Sequence, residues 1–212
     1  SSGALKDETA GPRFVDVIAR NATRLAALVQ DLLDLSRLES REGPETLKSV
    51  DPADALARAA APYRETAAAK RIQLVVEETQ APPVRGEPGL LERALTNLVL
   101  NAVRYTPEGG RVVLRAREVT GSAEGRRAVR FEVEDTGIGI PRGALPRIFE
   151  RFYRVDPARS RELGGTGLGL SIVKHAVDAM GGQVSVDSAV GHGSTFSVTL
   201  DAWDEARTRG TE

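Results

Sequence analysis

Between Phe14 and Leu38 the apolar side chains recur at Phe14, Ile18, Leu25, Leu28, Leu32 and Leu35, interrupted by Asn21. Steps of three, four and seven place them in one stripe along a long helix. Val29, Leu33 and Leu38 widen the stripe beyond a two-stranded seam, which predicts a helix covered by two or more neighbours in a bundle. The stretch SREGPETLKSVDP breaks the period with Gly43 and Pro44 and reads as a hinge. Asp51 can cap a new helix with Pro52 in its first turn, continuing through an alanine-rich run to Lys70. A strand is predicted over Ile72 to Glu78 and a break at APPVRGEP. Glu87 to Tyr105 reads as a helix with Leu91, Leu95, Leu98, Val99 and Ala102 at helical spacing. Two β-forming runs start at Arg111 and Ala128, joined by TGSAEGRR as a hairpin loop. A helix around Leu145 to Arg151, another from Leu168 to Met180, and two strands in QVSVDS and STFSVTL complete the pattern. The predicted fold is α+β, a two-layer α/β sandwich with helices on one face of a mixed, mostly antiparallel sheet, preceded by the bundle helix. The expected division is residues 1–45 for the bundle element, 46–202 for the globular domain and 203–212 for a polar tail.

Composition narrows what such a fold can bind. Lys and Arg total 29 against 30 Asp and Glu, so no global field draws in nucleic acid or anionic lipid, and any anion needs a local site. The absence of cysteine excludes disulfides, thiolate catalysis and zinc ribbons, and leaves His175 and His192 as the two imidazoles. No stretch reaches the ~18 to 20 apolar residues of a membrane span and the start is no signal peptide, so a soluble, cytoplasmic chain without membrane contact is expected.

Four segments carry candidate chemistry. In NLVLNAVRYT, Asn97, Asn101, Arg104 and Tyr105 share one helical face. Asparagine is unfavourable inside a helix, so two of them a turn apart call for compensation; an amide oxygen is a hard ligand for Mg²⁺, and arginine pairs with phosphate. In EDTGIGIP, Asp135 ends a strand beside Gly137 and Gly139, where a carboxylate can accept from the amine of adenine and repels the carbonyl of guanine. RIFERFYRVD offers Phe149 and Phe152 as anchors, with Arg151 and Arg154 to reach a phosphate. In LGGTGLGLSIVK, Gly165, Gly167 and Gly169 alternate with Thr166 and Leu168 and open a helix whose free N–H groups suit phosphate.

In this order the segments resemble the ATP-binding domain of bacterial sensor histidine kinases, of the gyrase, Hsp90 and MutL type of ATPase, the Bergerat fold. NLVLNAVRYT is similar to the family's N box, DTGIGI to its G1 box, FERFYR to its F box and GTGLGL to its G2 box. Phe14 to Glu39 resembles the second helix of the dimerisation bundle. The resemblance implies ATP and Mg²⁺ as cofactors, with Asn101 on the metal, Asn97 and Arg154 as catalytic groups at the phosphates, and Arg104 where lysine is usual. It places Tyr105 along the nucleotide, Asp135 on adenine N6, and Gly137, Gly139 and Ile140 around the base. Phe149 anchors a lid from Asp156 to Gly164, Gly165, Thr166, Gly167, Leu168 and Gly169 close over phosphate, and Thr195 adds a hydroxyl near adenine. Implied partners are a response regulator and a second copy through the bundle helices.

One part of the family pattern is missing. The phosphoacceptor motif, like Ser-His-Glu-Leu-Arg-Thr-Pro-Leu, has no counterpart, and both histidines fall in the catalytic domain. The chain therefore reads as a fragment, without the acceptor helix, of a longer kinase anchored in the inner membrane, able to bind Mg·ATP without labelling itself. Two rivals stand beside it. A degenerate module that docks a response regulator without transfer has no use for intact Asn101, Asp135 and glycines. A hydrolysing clamp wants Glu where Asn97 stands.

Overall fold

The computed structural model describes residues 15, 18–19, 21–22, 25–26, 28–33, 36, 47–120, 126–156 and 165–204. The described positions between 15 and 36 are helical and form α1. Then come β1 (Lys48–Val50), α2 (Pro52–Ala60), α3 (Arg64–Ala69), β2 (Gln73–Val76) and β3 (Val84–Gly86). After them follow α4 (Pro88–Tyr105), β4 (Arg111–Thr120), β5 (Arg127–Asp135), α5 (Gly169–Ala179), β6 (Gln183–Ala189) and β7 (Gly193–Asp201).

Five strands form one sheet in the order β2-β4-β5-β7-β6, with β2 parallel to β4 and the other pairs antiparallel. A parallel pair cannot be closed by a tight turn, and the connection from β2 to β4 runs through β3 and α4. Helix α4 packs between α2 and α5 over the sheet. Its Leu91, Leu95, Leu98 and Val99 are buried in one core with Leu114, Phe131, Val133, Val198 and Leu200 of the strands. Side chains alternate along a strand, so Val129, Phe131 and Val133 point under the helices and Asp135 is the next residue of that row. The opposite face is polar, with Arg115 bridging Glu132 and Glu134 at 2.6 Å each.

The alanine-rich run is not one helix: Pro62, which lacks an N–H, sits in a 3-10 turn at Ala61–Tyr63 that separates α2 from α3. Of the helix expected around Leu145 to Arg151, one 3-10 turn at Leu145–Arg147 forms, again around a proline. The hinge and the break at APPVRGEP contain β1 and β3, which pair antiparallel through Val50 and Val84. Three-residue strands are too short to show a period of two. The start of the expected tail is bound to this edge, since Ala202 bridges Val84 and the Trp203 N–H donates to Pro83 O at 2.7 Å; residues 205–212 are outside the described set.

In α1, Val15, Ile18, Leu25, Val29, Leu32 and Leu33 are exposed, while Leu28 packs against buried Leu168 and Ile172. Phe14, Leu35 and Leu38 of the expected stripe lie outside the described residues. No described helix is long and apolar enough to cross a membrane.

Candidate functional site

A cavity of about 250 Å³ opens between the last turns of α4, the end of β5, the start of β7, and the glycine-rich segment that leads into α5. From α4 it receives Asn97, Asn101, Arg104 and Tyr105, as the helical spacing requires. Asn97 Nδ2 donates to Arg93 O at 3.0 Å, which leaves the amide oxygen for the cavity side; a Cβ on Gly169 would come within 3.0 Å of that oxygen. The end of α4 is fixed from outside: Lys70 Nζ donates to the carbonyls of Val103, Arg104 and Thr106 at 2.7, 3.2 and 2.9 Å. These are among the carbonyls that a helix C-terminus leaves without intrahelical partners.

At the sheet end of the cavity Asp135 is 7% exposed. Burial pushes its carboxyl up from 3.8 to about 6, against the opposing pull of the Gly137 and Ser194 N–H groups. The Gly137 bond to Oδ1 is 2.7 Å. Gly139 has φ +67°, and a Cβ there would meet Ala189 O at 1.9 Å, so the loop can lie against the β6–β7 turn only as glycine. Ser188 Oγ accepts from Ile140 N at 2.8 Å and holds the same loop to that hairpin.

At the other end, Arg154 donates to Gly165 O, and the Phe152 N–H donates to Gly167 O at 2.9 Å. Gly167 has φ +80°, and a Cβ would press on the Phe152 backbone at 3.0 Å. Phe152 itself is held at φ +61° and stands exposed. Leu168, at the N-cap of α5, gives no side-chain cap, so the first-turn N–H groups face the glycine loop without one. Thr166 Oγ1 donates to Asp31 of α1 at 2.7 Å and accepts from Leu168 N at 3.2 Å.

The cavity lining thus contains Asn97, Asn101, Arg104, Tyr105, Asp135, Gly139, Ile140, Arg154, Gly165, Thr166, Gly167 and Gly169. Four expected positions are outside it. Gly137 acts through its bond to Asp135. Phe149 is partly buried against the core, as an anchor would be. Leu168 is buried against Leu28 and Ile172, so its side chain serves packing. Thr195 pairs with Glu134 on the outer face of the sheet; its neighbours Ser194 and Phe196 line the cavity, so the hydroxyl at this end is that of Ser194. Strand parity decides the choice between adjacent residues. Of the expected lid, Asp156 lines the cavity and residues 157–164 lie outside the described set. Sequence reasoning also missed Asp31, Tyr153 and Ser194 as lining residues. Neither histidine lines it. His175 Nδ1 lies 2.8 Å from Ser171 O and its Nε2 3.2 Å from Arg151 Nη2. Both ring nitrogens of His175 therefore have partners within the domain.

A buried acceptor at one end of the cavity, and glycine amides with an arginine at the other, form an arrangement that can receive a nucleotide. The chain belongs to the histidine kinase-, DNA gyrase B- and HSP90-like ATPase family, whose model matches residues 86–204. It is 36% identical over 200 residues to the sensor-like histidine kinase SenX3 of Mycolicibacterium smegmatis, covering 94% of this chain and 50% of that one. It is 34% identical over 218 residues to the sensor histidine kinase WalK of Bacillus subtilis, covering 97% and 34%. The chain therefore spans half or less of these relatives. Full-length ShkA, solved in complex with AMPPNP, superposes with a TM-score of 0.75 at 32% identity, over 92% of this chain and 39% of that one. The mycobacterial sensor histidine kinase MprB gives 0.60 at 30% identity, over 73% and 97%.

Proposed function

We propose that this chain is the kinase region of a two-component sensor histidine kinase. It binds Mg·ATP and delivers the γ-phosphate to a histidine other than its own two, for relay to a response regulator aspartate. The observation that carries this reading is the pairing, in one cavity, of buried Asp135 with the Arg154 and glycine-loop end. Asp135 accepts from the 6-amine of adenine; Arg154 and the α5 amides meet the phosphates. The donor set suits a hard cation, because Asn97 has its amide nitrogen tied back and turns an oxygen inward, with Asn101 one turn on. Mg²⁺ on Asn101, beside Asn97, would neutralise triphosphate charge there. Phosphoryl transfer then rests on positioning and charge compensation by these side chains, with the nucleophile brought from elsewhere. His175, engaged through both ring nitrogens and outside the lining, has no nitrogen turned toward the cavity for an acceptor role. The exposed apolar residues of α1 support pairing with a second copy through bundle helices in the parent protein. In this reading residues 1–45 belong to the dimerisation bundle, 46–202 form the ATP-binding domain and 203–212 the tail.

Incubation with γ-labelled ATP tests the transfer. The chain alone stays unlabelled, and an added helix carrying the family's acceptor motif gains acid-labile label; stable label on this chain would overturn the reading. Asp135→Ala loses a charge-assisted hydrogen bond of about 1.5 to 3 kcal/mol, so affinity for ATP drops about 10- to 150-fold in titration calorimetry. Unchanged affinity would move base recognition to another site.

A further inference from the structure

We propose that Ser188 sets the base specificity of the cavity by locking the Ser194 hydroxyl into an acceptor. Ser188, Ser194 and Asp135 form one row across β6, β7 and β5: Ser188 pairs with Ser194, and Ser194 with Asp135. Ser194 and Asp135 line the cavity, and Ser188 stands behind them. Three partners surround Ser188 Oγ: Ile140 N at 2.8 Å, Gly193 O at 2.9 Å and Ser194 Oγ at 2.9 Å. A serine hydroxyl has one hydrogen and two lone pairs. Ile140 N–H can only donate and Gly193 O can only accept, so the Ser188 hydrogen goes to Gly193. The remaining lone pair then takes the Ser194 hydrogen. Ser194 has no hydrogen left for a ligand and presents lone pairs, next to a carboxylate that also accepts. Two adjacent acceptors match an exocyclic amine and oppose a carbonyl oxygen in the same place.

This inference rests on the adenine-nucleotide reading and adds a residue that touches no ligand. Ser188 is a positioning residue: without its hydroxyl, Ser194 is free to turn its hydrogen toward a ligand carbonyl. Adenosine and inosine diphosphates are suitable probes, since they differ by an amine against a carbonyl. Their dissociation constants are measured on the purified chain by calorimetry. The wild type prefers the adenosine form, and Ser188→Ala narrows that preference by about tenfold, the worth of one hydrogen bond. Ser188→Thr keeps the hydroxyl and the preference. In a Ser194→Ala background, Ser188→Ala no longer changes the ratio, because its effect runs through that hydroxyl. Ser194→Ala alone narrows the preference as well, which keeps the test available should Ser188→Ala fail to fold. A Ser188→Ala variant that weakens both nucleotides equally, or a Ser194→Ala variant with the wild-type ratio, overturns the inference. Failure of the wild type to bind the adenosine form at all would sink the adenine reading, an outcome distinct from binding with an unchanged ratio.

Discussion

Asp135 combines a functional advantage with a cost to the fold. Its backbone partners, Gly137 and Ser194 N–H, favour the charged form, yet burial outweighs them and raises the carboxyl to about 6. The interval from 3.8 to about 6 corresponds to about 3 kcal/mol of differential interaction between the protonation states. The folded state binds this proton more tightly than the unfolded chain, so stability from this group is present below pH 3.8 and is lost as pH rises through about 6. Asp135→Asn keeps an oxygen for the two N–H donors and removes the ionisation. Denaturant unfolding at pH 7 should show the variant more stable by up to about 3 kcal/mol, the difference vanishing near pH 4. ATP affinity should move the other way at pH 7, falling in the variant, with the two affinity profiles converging below pH 6. A variant less stable than wild type at pH 7 would contradict a buried, unfavourable charge.

Helix α4 supplies Asn97, Asn101, Arg104 and Tyr105 to the lining, and both of its ends are held by charged groups from outside its regular turns. Glu87 accepts from Leu90 N at 2.5 Å at the start. Lys70 meets three carbonyls at the finish, where a cation also complements the helix dipole. Burial pulls the Lys70 ammonium below its usual value without removing that role. Lys70→Met keeps the stem and leaves the carbonyls unpaired, so unfolding free energy should fall by about 1.5 to 3 kcal/mol. Because Arg104 and Tyr105 sit in the final turn, nucleotide affinity should weaken with it, while hydrogen exchange quickens at the Thr106 N–H, which bonds Ala102 O. Full stability in Lys70→Met would mean that water satisfies those carbonyls equally well. The α4 face was legible in the sequence because a period of 3.6 relates residues within one helix, and the same local logic found Asp135 and the glycines. Lys70 and Ser188 were not legible: they act on α4 and on the loop at Ile140 across 33 and 48 positions, through contacts that no local period encodes. Thr195 lies outside the lining for a narrower reason: the motif marks the segment, while strand parity turns Ser194 and Phe196 toward the cavity.

Helix α1 is not a detached appendage of the ATPase domain. Leu28 packs on Leu168 and Ile172, and Asp31 takes the Thr166 hydroxyl hydrogen inside the cavity lining. Burial disfavours the charge of Arg93, and the nearby Asp31 counters this. One carboxylate from outside the sandwich is therefore tied to the loop that roofs the Arg154 end. A bound triphosphate would share that end with Asp31, and like charges in a partly desolvated cleft repel. Docking of α1 and occupation of the cavity by a highly charged nucleotide should consequently oppose each other, reciprocally, as linkage demands. Asp31→Ala removes the carboxylate and leaves Leu28 in place. Affinity for ATP should rise by about three- to tenfold, and that for ADP by less, since the diphosphate carries less charge. Raising ionic strength should shrink the difference between wild type and variant. In the wild type, saturating ATP should speed hydrogen exchange along α1; Leu28→Ser should speed it without nucleotide. Weaker ATP binding by Asp31→Ala would show the opposite coupling, with Asp31 holding Thr166 and its glycines in the form that receives phosphate.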